Sequence, residues 1–322
     1  MLPLVLSLMT RTPSGGLVAL RVQHLQSGFP SPAISWNLIE DMQTQLQYAF
    51  MQNAYLAGAI VAVVAGVVGY FVVLRGLSFA GHALADIGFA GAAGAVLLGI
   101  DPIFGLLVFT IGSAVGIGLL GKRIQGRDVA IGIVLAWALG LGVLFLSLYT
   151  GYASEAYAVL FGEILGISVD DLLVTLLAGV IILAAMAVLY RPLLFASFDD
   201  EVAEARGVPV RFLSMAFMII LALAVSEAVQ VVGVLLIFAL LVTPAAIAER
   251  LTARPGRAIA IAVVLALAFT WAGIFISYYI LYPVSVFITT LAFGSYVLVR
   301  LILAARARVV RRPQQALEGA LA

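Results

Sequence analysis

Long apolar segments follow one another along most of this chain, separated by short stretches of Pro, Gly and charged residues. Since a membrane-spanning helix needs about 20 mostly apolar residues, the pattern predicts an all-α, polytopic transmembrane helical bundle of about nine spans, within a range of about 8–10. The predicted spans are Tyr48–Leu74, Ser78–Ile100, Ile103–Leu120, Val129–Tyr149, Asp171–Tyr190, Phe212–Ser226, Val229–Ala248, Ala258–Leu281 and Val284–Leu303. Few polar residues separate the sixth span from the seventh, so we expect one of these two to be broken or short.

Two flanking regions fall outside this membrane domain, which is predicted to cover residues 48–303. Residues 1–47 contain frequent Pro, Ser and Gly near their start and show no persistent periodicity, so we expect a largely irregular N-terminal extension. Residues 304–322 carry several Arg and are expected to form a basic tail in the cytosol.

Basic residues indicate how the membrane domain is oriented. Of the 17 Lys and Arg residues, all except Arg11 and Arg21 follow an odd-numbered span or, in the case of Arg300, lie near the end of the ninth span. The charged residues that follow the even-numbered spans are all acidic. Because loops rich in Lys and Arg stay on the cytoplasmic side, the predicted topology is N-outside and C-inside.

The composition narrows the classes of function. Hydrophobic residues make up 64% of the chain and charged residues only 10%, whereas a soluble domain has about 25% charged residues. Lipid must therefore cover most of the surface, and the net charge of +1 gives no reason to expect a nucleic-acid partner. Without cysteine, any metal must be held by nitrogen and oxygen, which suits manganese, iron or zinc better than copper(I).

One motif is rejected. The segment Gly116–Arg123, with the sequence GIGLLGKR, resembles the P-loop pattern. It ends in Arg where the P-loop needs a Ser or Thr hydroxyl for Mg²⁺, and an apolar helix precedes it rather than a strand. We therefore expect no ATPase site in this chain.

His82 and Asp86 are the leading candidates for chemistry within the predicted spans. They stand four residues apart on the second span, so both project from the same helix face. An imidazole and a carboxylate on one face can hold a divalent cation from one side. The spacing alone leaves two interpretations open, a metal-binding pair or a His–Asp hydrogen bond that only stabilises packing.

Glu227 is the second candidate, because ionisable residues in membrane segments are costly. It is predicted at the outer end of the sixth span, beside Ser226. Three interpretations stay open, namely a third metal ligand, a gate residue or an ordinary interfacial carboxylate that ends a helix.

The segment between the fifth and sixth spans predicts a short cytosolic helix, Phe198–Arg206. Ser197 precedes Asp200 by the spacing of a capping box, and acidic residues suit a helix N-terminus. Gly207 and Pro209 provide a stop. A helix of this kind either presses on a motor subunit or simply lies at the membrane interface.

Six short segments occur in order along the membrane domain. They are Arg75-Gly76-Leu77-Ser78, Gly81-His82-Ala83-Leu84-Ala85-Asp86, Phe161-Gly162-Glu163-Ile164-Leu165, Ala205-Arg206-Gly207-Val208, Val232-Gly233-Val234-Leu235-Leu236 and Thr243-Pro244-Ala245-Ala246. In order and spacing they resemble the zinc/manganese/iron family of ABC-importer permeases.

The resemblance implies a multi-pass subunit of a bacterial plasma (inner) membrane that moves zinc, manganese or iron into the cytoplasm by alternating access. It implies no cofactor of its own, a permease homodimer, cytosolic ABC ATPases that use the ATP, and an extracytoplasmic metal-binding protein. It also makes segment 198–207 a coupling helix and places the second span along the ion path. The residues expected to meet the ATPase are Asp200, Glu201, Glu204, Ala205, Arg206 and Gly207.

The chain departs from the family at one point. The family usually has Asp at the position of His82 and His at the position of Asp86, so the two ligand types are kept in exchanged order. We expect the metal grip to persist, whereas the choice among the three ions stays open.

Other functions remain as alternatives. A permease for a metal chelate of the siderophore or cobalamin type would need a wide path without ligands. A secondary transporter or channel would work without an ATPase, and a structural membrane subunit would have no use for a buried His/Asp pair.

Overall fold

The computed structural model describes residues 38–120, 127–149, 162, 164–280 and 282–321, and these residues form helices and no strands. The helices are α1 Leu38–Gln45, α2 Ala49–Leu74, α3 Ser78–Leu97, α4 Pro102–Leu120, α5 Arg127–Leu148, α6 Val169–Phe198, α7 Asp200–Ala205, α8 Val210–Val232, α9 Val234–Leu251, α10 Pro255–Tyr279 and α11 Val284–Leu321. The prediction of an all-α polytopic bundle is confirmed. Residues 1–37, and Glu163 of the resemblance, lie outside the described residues.

The predicted spans all correspond to helices. Eight helices in the described part of the chain are long and apolar enough to cross a membrane, namely α2, α3, α4, α5, α6, α8, α10 and the first part of α11. Helix α9, with 18 residues, corresponds to the remaining predicted span. Within the predicted N-terminal extension, α1 is helical from Leu38.

The boundary between the sixth and seventh predicted spans is wrong. Helix α8 continues through Glu227 to Val232, and the chain breaks at Gly233, whose φ is 82° and ψ is 163°. Only Gly adopts this backbone conformation readily. Glu is a good helix former, so a single carboxylate does not end a helix.

Helix α2 is the centre of the bundle. It packs against α6, α8, α9 and α10, and most of its residues are buried. At Gly69 a Cβ atom would overlap the backbone carbonyl oxygen of Leu241 in α9, and at Gly66 it would come within 2.7 Å of the backbone of Val263 in α10. These close approaches need glycine, as is usual where membrane helices touch.

Helices α2 and α6 run in the same direction. The Asn53 side chain near the start of α2 donates to the carbonyl of Ile167, just before α6, over 3.1 Å. Arg75 at the end of α2 donates to Ser197 near the end of α6 over 3.3 Å. This pairing agrees with the predicted placement of Arg75 and the segment after the fifth span on one side.

Helix α6 is longer than predicted at both ends. Its start is held by a capping box in which the Ser168 hydroxyl accepts from the backbone N–H of Asp171. The helix then passes Pro192 and ends only at Phe198, so the predicted loop after Tyr190 is helical.

Gly91→Ala should destabilise the protein because α3 and α4 meet at glycine. A Cβ atom at Gly91 would overlap the carbonyl oxygen of Gly105, so the backbones would have to separate. Overpacking of this kind costs about 1–3 kcal/mol. We expect a lower apparent unfolding temperature in detergent, whereas the control Gly112→Ala should not lower it, since a Cβ there meets no atom within 4 Å and Ala is the better helix former. Equal stability of the two variants would contradict the packing argument.

Candidate functional site

The His82 and Asp86 side chains lie next to each other on the second and third turns of α3. His82 Nε2 is 3.4 Å from an Asp86 carboxylate oxygen. The helical rise sets this distance, because residues four apart face the same side. The predicted shared face is therefore present.

The pair lies on an open face of an otherwise buried helix. Most residues of α3 are buried, yet the His82 side chain is 43% exposed and that of Asp86 is 14% exposed. The rings of Phe79 on α3 and Phe238 on α9 are also partly exposed, and the Phe238 ring centroid lies 5.1 Å from that of His82. Because hydrocarbon offers a polar pair no partner, this face must meet water or another protein surface.

The pair can supply two metal donors. His82 Nε2 faces the carboxylate, while its Nδ1 is buried and has no hydrogen-bond partner. A neutral imidazole and a carboxylate are ordinary ligands of manganese, iron and zinc. Within the described residues, no group of three or more His, Cys, Asp and Glu side chains comes together. One chain therefore provides only part of a coordination shell here.

Glu227 lies in a different place from the pair. It is 6% exposed, inside α8, and neither of its carboxylate oxygens has a hydrogen-bond partner. It borders a cavity of about 200 Å³ between α4, α6 and α8. Beside it, the hydroxyls of Ser226 and Thr110 share a hydrogen bond of 2.8 Å. The interpretation of Glu227 as an interfacial residue that ends a helix is wrong, and the structure does not gather it with His82 and Asp86 into one group.

The short helix between the fifth and sixth predicted spans is present as α7, with six residues rather than the nine of the prediction. Ser197 is not its cap, because its hydroxyl donates to the carbonyl of Leu193 over 2.6 Å. Asp199 takes that role by accepting from the backbone N–H groups of Glu201 and Val202, each over 3.0 Å. Helix α7 is shorter than predicted because α6 extends to Phe198, which is the residue at which the short helix is predicted to begin.

Helix α7 presents a polar surface outward. Ala203 is buried against the bundle, and Gly207, with a φ of 83°, ends the segment as predicted. Of the six residues expected to meet a partner, five are exposed and Asp200 is half-buried; the exposed ones are Glu201, Glu204, Ala205, Arg206 and Gly207.

Arg75 is a further functional candidate, although its position in the sequence indicates only the orientation of the membrane domain. It is 8% exposed although it is charged, and it connects three helices at one end of the bundle. The sequence signal for these contacts is a cation directly after an apolar span, together with hydroxyl residues near the ends of other spans.

Comparison with known sequences identifies the family. The pattern of the ABC 3 transport family matches residues 47–303. The manganese transport system membrane protein MntC of Listeria innocua is 34% identical over 234 residues, which cover 72% of this chain and 83% of that protein. The manganese import system permease protein ScaB of Streptococcus gordonii is 35% identical over 210 residues, which cover 65% of this chain and 75% of that protein.

Two solved structures resemble the fold. The structure of PsaBC from Streptococcus pneumoniae in complex with Fab contains a chain that is 31% identical, with a TM-score of 0.73 and coverage of 81% of this chain and 95% of that chain. An inward-facing conformation of a putative metal-chelate type ABC transporter matches with a TM-score of 0.64 over 93% of this chain and 99% of that chain. At 16% identity, the second likeness concerns the fold alone.

Glu227→Gln should stabilise the isolated protein. The substitution keeps the shape of the side chain but removes a buried carboxylate whose oxygens have no partner. The amide of Gln has no partner there either, so the expected gain comes from removing the charge, which is the costlier part of a buried group without a partner. We expect a higher apparent unfolding temperature in detergent at pH 8, with no change for the exposed control Glu204→Gln. A lower unfolding temperature would mean that the carboxylate has a partner in the native protein.

Proposed function

The chain belongs to the ABC 3 transport family, and on that premise we propose that it is the membrane permease of an importer that carries a divalent metal ion into the cytoplasm. ATP would be used by a separate subunit. Its spans and its family make it a multi-pass membrane protein of the bacterial plasma membrane.

The exposure of the His82–Asp86 pair carries this proposal. A polar pair that served only packing would be sealed between helices, whereas His82 is open on a helix most of whose residues are buried. An open pair of nitrogen and oxygen donors suits a metal ion in transit. A ligand-free wide path, as a bulky chelate requires, does not explain such a pair, so the bare ion is favoured over the chelate.

A second copy of the chain would complete the site. Two donors from each of two protomers, with water, would give a divalent ion a usual coordination number while leaving it free to depart. The open face of α3 would then lie against the ion path between protomers. Alternating access would follow when the two copies change their relative tilt.

Among zinc, manganese and iron, manganese is favoured. MntC of Listeria and ScaB of Streptococcus are both named for manganese transport. Imidazole and carboxylate donors without thiolate agree with that choice. The exchanged order of His82 and Asp86 changes which turn of the helix carries the nitrogen donor. Because the donor positions affect the coordination geometry, uptake of zinc and iron is compared with that of manganese in the assay below.

Partners are proposed on both faces of the membrane. The exposed surface of α7 would seat the cytosolic ATPase, because it is polar, capped and anchored by the buried Ala203. On the opposite side, the exposed acids Asp101, Asp170 and Asp171 would receive a metal-binding protein that delivers the ion. Glu227, which lies apart from the pair, would be a separate contact within each protomer.

His82→Ala and Asp86→Ala should each lower Mn²⁺ uptake by about ten-fold or more, since each removes one donor of the pair. The assay is uptake of labelled Mn²⁺, Zn²⁺ and Fe²⁺ by the reconstituted complex, with protein level checked in the membrane. The double exchange His82→Asp with Asp86→His keeps both donor types and should retain most of the uptake.

The matched control for these variants is Asp128→Ala, an exposed acid at the start of α5 that belongs to neither proposed partner surface. It removes one charge and should leave uptake unchanged. Normal uptake by both His82→Ala and Asp86→Ala would rule out the proposed ion contact.

Arg206→Glu and deletion of Glu201–Arg206 should each abolish association with the ATPase. The first reverses the charge of the residue that caps α7, and the second removes most of the exposed surface of α7. The measurement is co-purification of the ATPase with the permease in detergent. Arg257→Glu, an exposed substitution at the start of α10, serves as the control for charge reversal. Full association of the deletion variant would show that the ATPase binds elsewhere.

A further inference from the structure

A buried arginine joins the segment around α7 to the helix that carries His82 and Asp86. Arg75 is the C-terminal cap of α2, and its side chain extends into the space between α6 and α8. We propose that Arg75 is a positioning residue that transmits movement of the α7 segment to the ion-contact helix α3. This inference rests on the proposed function.

The contacts of Arg75 reach both flanks of α7. One guanidinium nitrogen donates to the hydroxyl of Ser197 over 3.3 Å, near the end of α6, and another donates to Ser214 over 2.8 Å, near the start of α8. The Arg75 Cζ atom also lies 5.8 Å from the centre of the Phe217 ring. A planar guanidinium can donate in two directions and stack on a ring at the same time. The two ends of the α7 segment are thereby tied to one side chain.

The two hydroxyl acceptors belong to well-packed helices, and one of them is held by a second hydrogen bond. The Ser197 hydroxyl is itself held by its bond to the carbonyl of Leu193, one turn earlier in α6. Ser214 lies in the second turn of α8, whose side chains Leu213 and Phe217 are buried. A shift of either flank therefore moves the guanidinium rather than only a flexible side chain.

The connection from Arg75 to α3 is short and stiff. The N–H of Gly76 donates to the carbonyl of Val73 over 3.0 Å, and the N–H of Leu77 donates to that of Val72 over 2.8 Å. With the positive φ of 65° at Gly76, these two bonds form a Schellman motif. Helix α3 begins at Ser78, directly after Leu77.

The ion-contact pair is thus within three turns of this connection. The N–H of Gly81 donates to the carbonyl of Leu77 over 2.9 Å, and Leu77 is buried. His82 follows Gly81 directly. Movement at the Arg75 end of α2 is therefore expected to tilt the start of α3 and so alter the position of His82.

The test uses proteoliposomes that contain the whole complex, the permease with its ATPase and metal-binding protein, and measures ion uptake and ATP hydrolysis in the same samples. Arg75→Met should lower the number of Mn²⁺ ions taken up per ATP by about ten-fold, a usual size for a coupling between two sites. ATP hydrolysis itself should change by less than about two-fold, since the surface of α7 is untouched. Arg75→Lys should restore part of the ratio because it keeps the charge but not the planar donor geometry.

Two further variants separate coupling from folding. Replacing both Ser197 and Ser214 by Ala removes the acceptors but keeps Arg75, and should lower the same ratio. Arg191→Met, at an exposed position of α6, makes the same substitution without these contacts and should leave the ratio unchanged. If Arg75→Met does not accumulate in the membrane, the double Ser variant decides the question.

The outcomes are distinct. An unchanged ratio in the double Ser variant, or a fall in uptake that is matched by an equal fall in hydrolysis, would overturn the role of Arg75. Absence of ATP-driven uptake by the wild-type complex with Mn²⁺, Zn²⁺ and Fe²⁺ would instead overturn the proposed function on which this inference rests.

Discussion

The cost of placing polar groups in hydrocarbon governs this molecule. Neither water nor lipid tails can satisfy a polar side chain in the bilayer interior, so each one needs a protein partner or an opening. The hydroxyls of Thr110 and Ser226 meet this need with each other. His82 and Asp86 meet it only in part, because His82 stays open, and Glu227 has no partner among the described residues. The unsatisfied groups therefore mark where an ion, water or another chain is expected.

Close helix contacts make the frame that holds these groups. Around α2, glycines such as Gly66 and Gly69 bring backbones together so closely that any side chain would collide. Protein interiors packed in this way transmit displacement rather than absorb it. Because α2 ends at Arg75 and continues directly into α3, the same frame connects the surface of α7 with the open face of α3. If the proposed function holds, a movement caused by an ATPase at α7 would have a physical route to the proposed ion contact.

The errors of the sequence analysis share one cause. The charge of Glu227 predicts a helix end at the membrane interface, yet α8 carries this residue into the bundle and the break comes at Gly233. The spacing of Ser197 predicts a cap, yet α6 extends past it and leaves that role to Asp199. A local pattern indicates which roles a residue is able to take, whereas the extent of the neighbouring helices decides which role it has. Arg75 shows the same limit, since its partners are Ser197 and Ser214, more than a hundred residues away along the chain.

The sequence by itself determined the class of the protein, the order and approximate positions of its spans, the shared face of His82 and Asp86, and a short acidic helix before Gly207. These features depend on length, hydropathy and helical spacing, which are local properties. Only the tertiary structure decided that His82 is open, that Glu227 is buried apart from the pair, and that Arg75 ties α2 to both flanks of α7. These facts depend on which helix faces lie together, and a linear pattern does not contain that information.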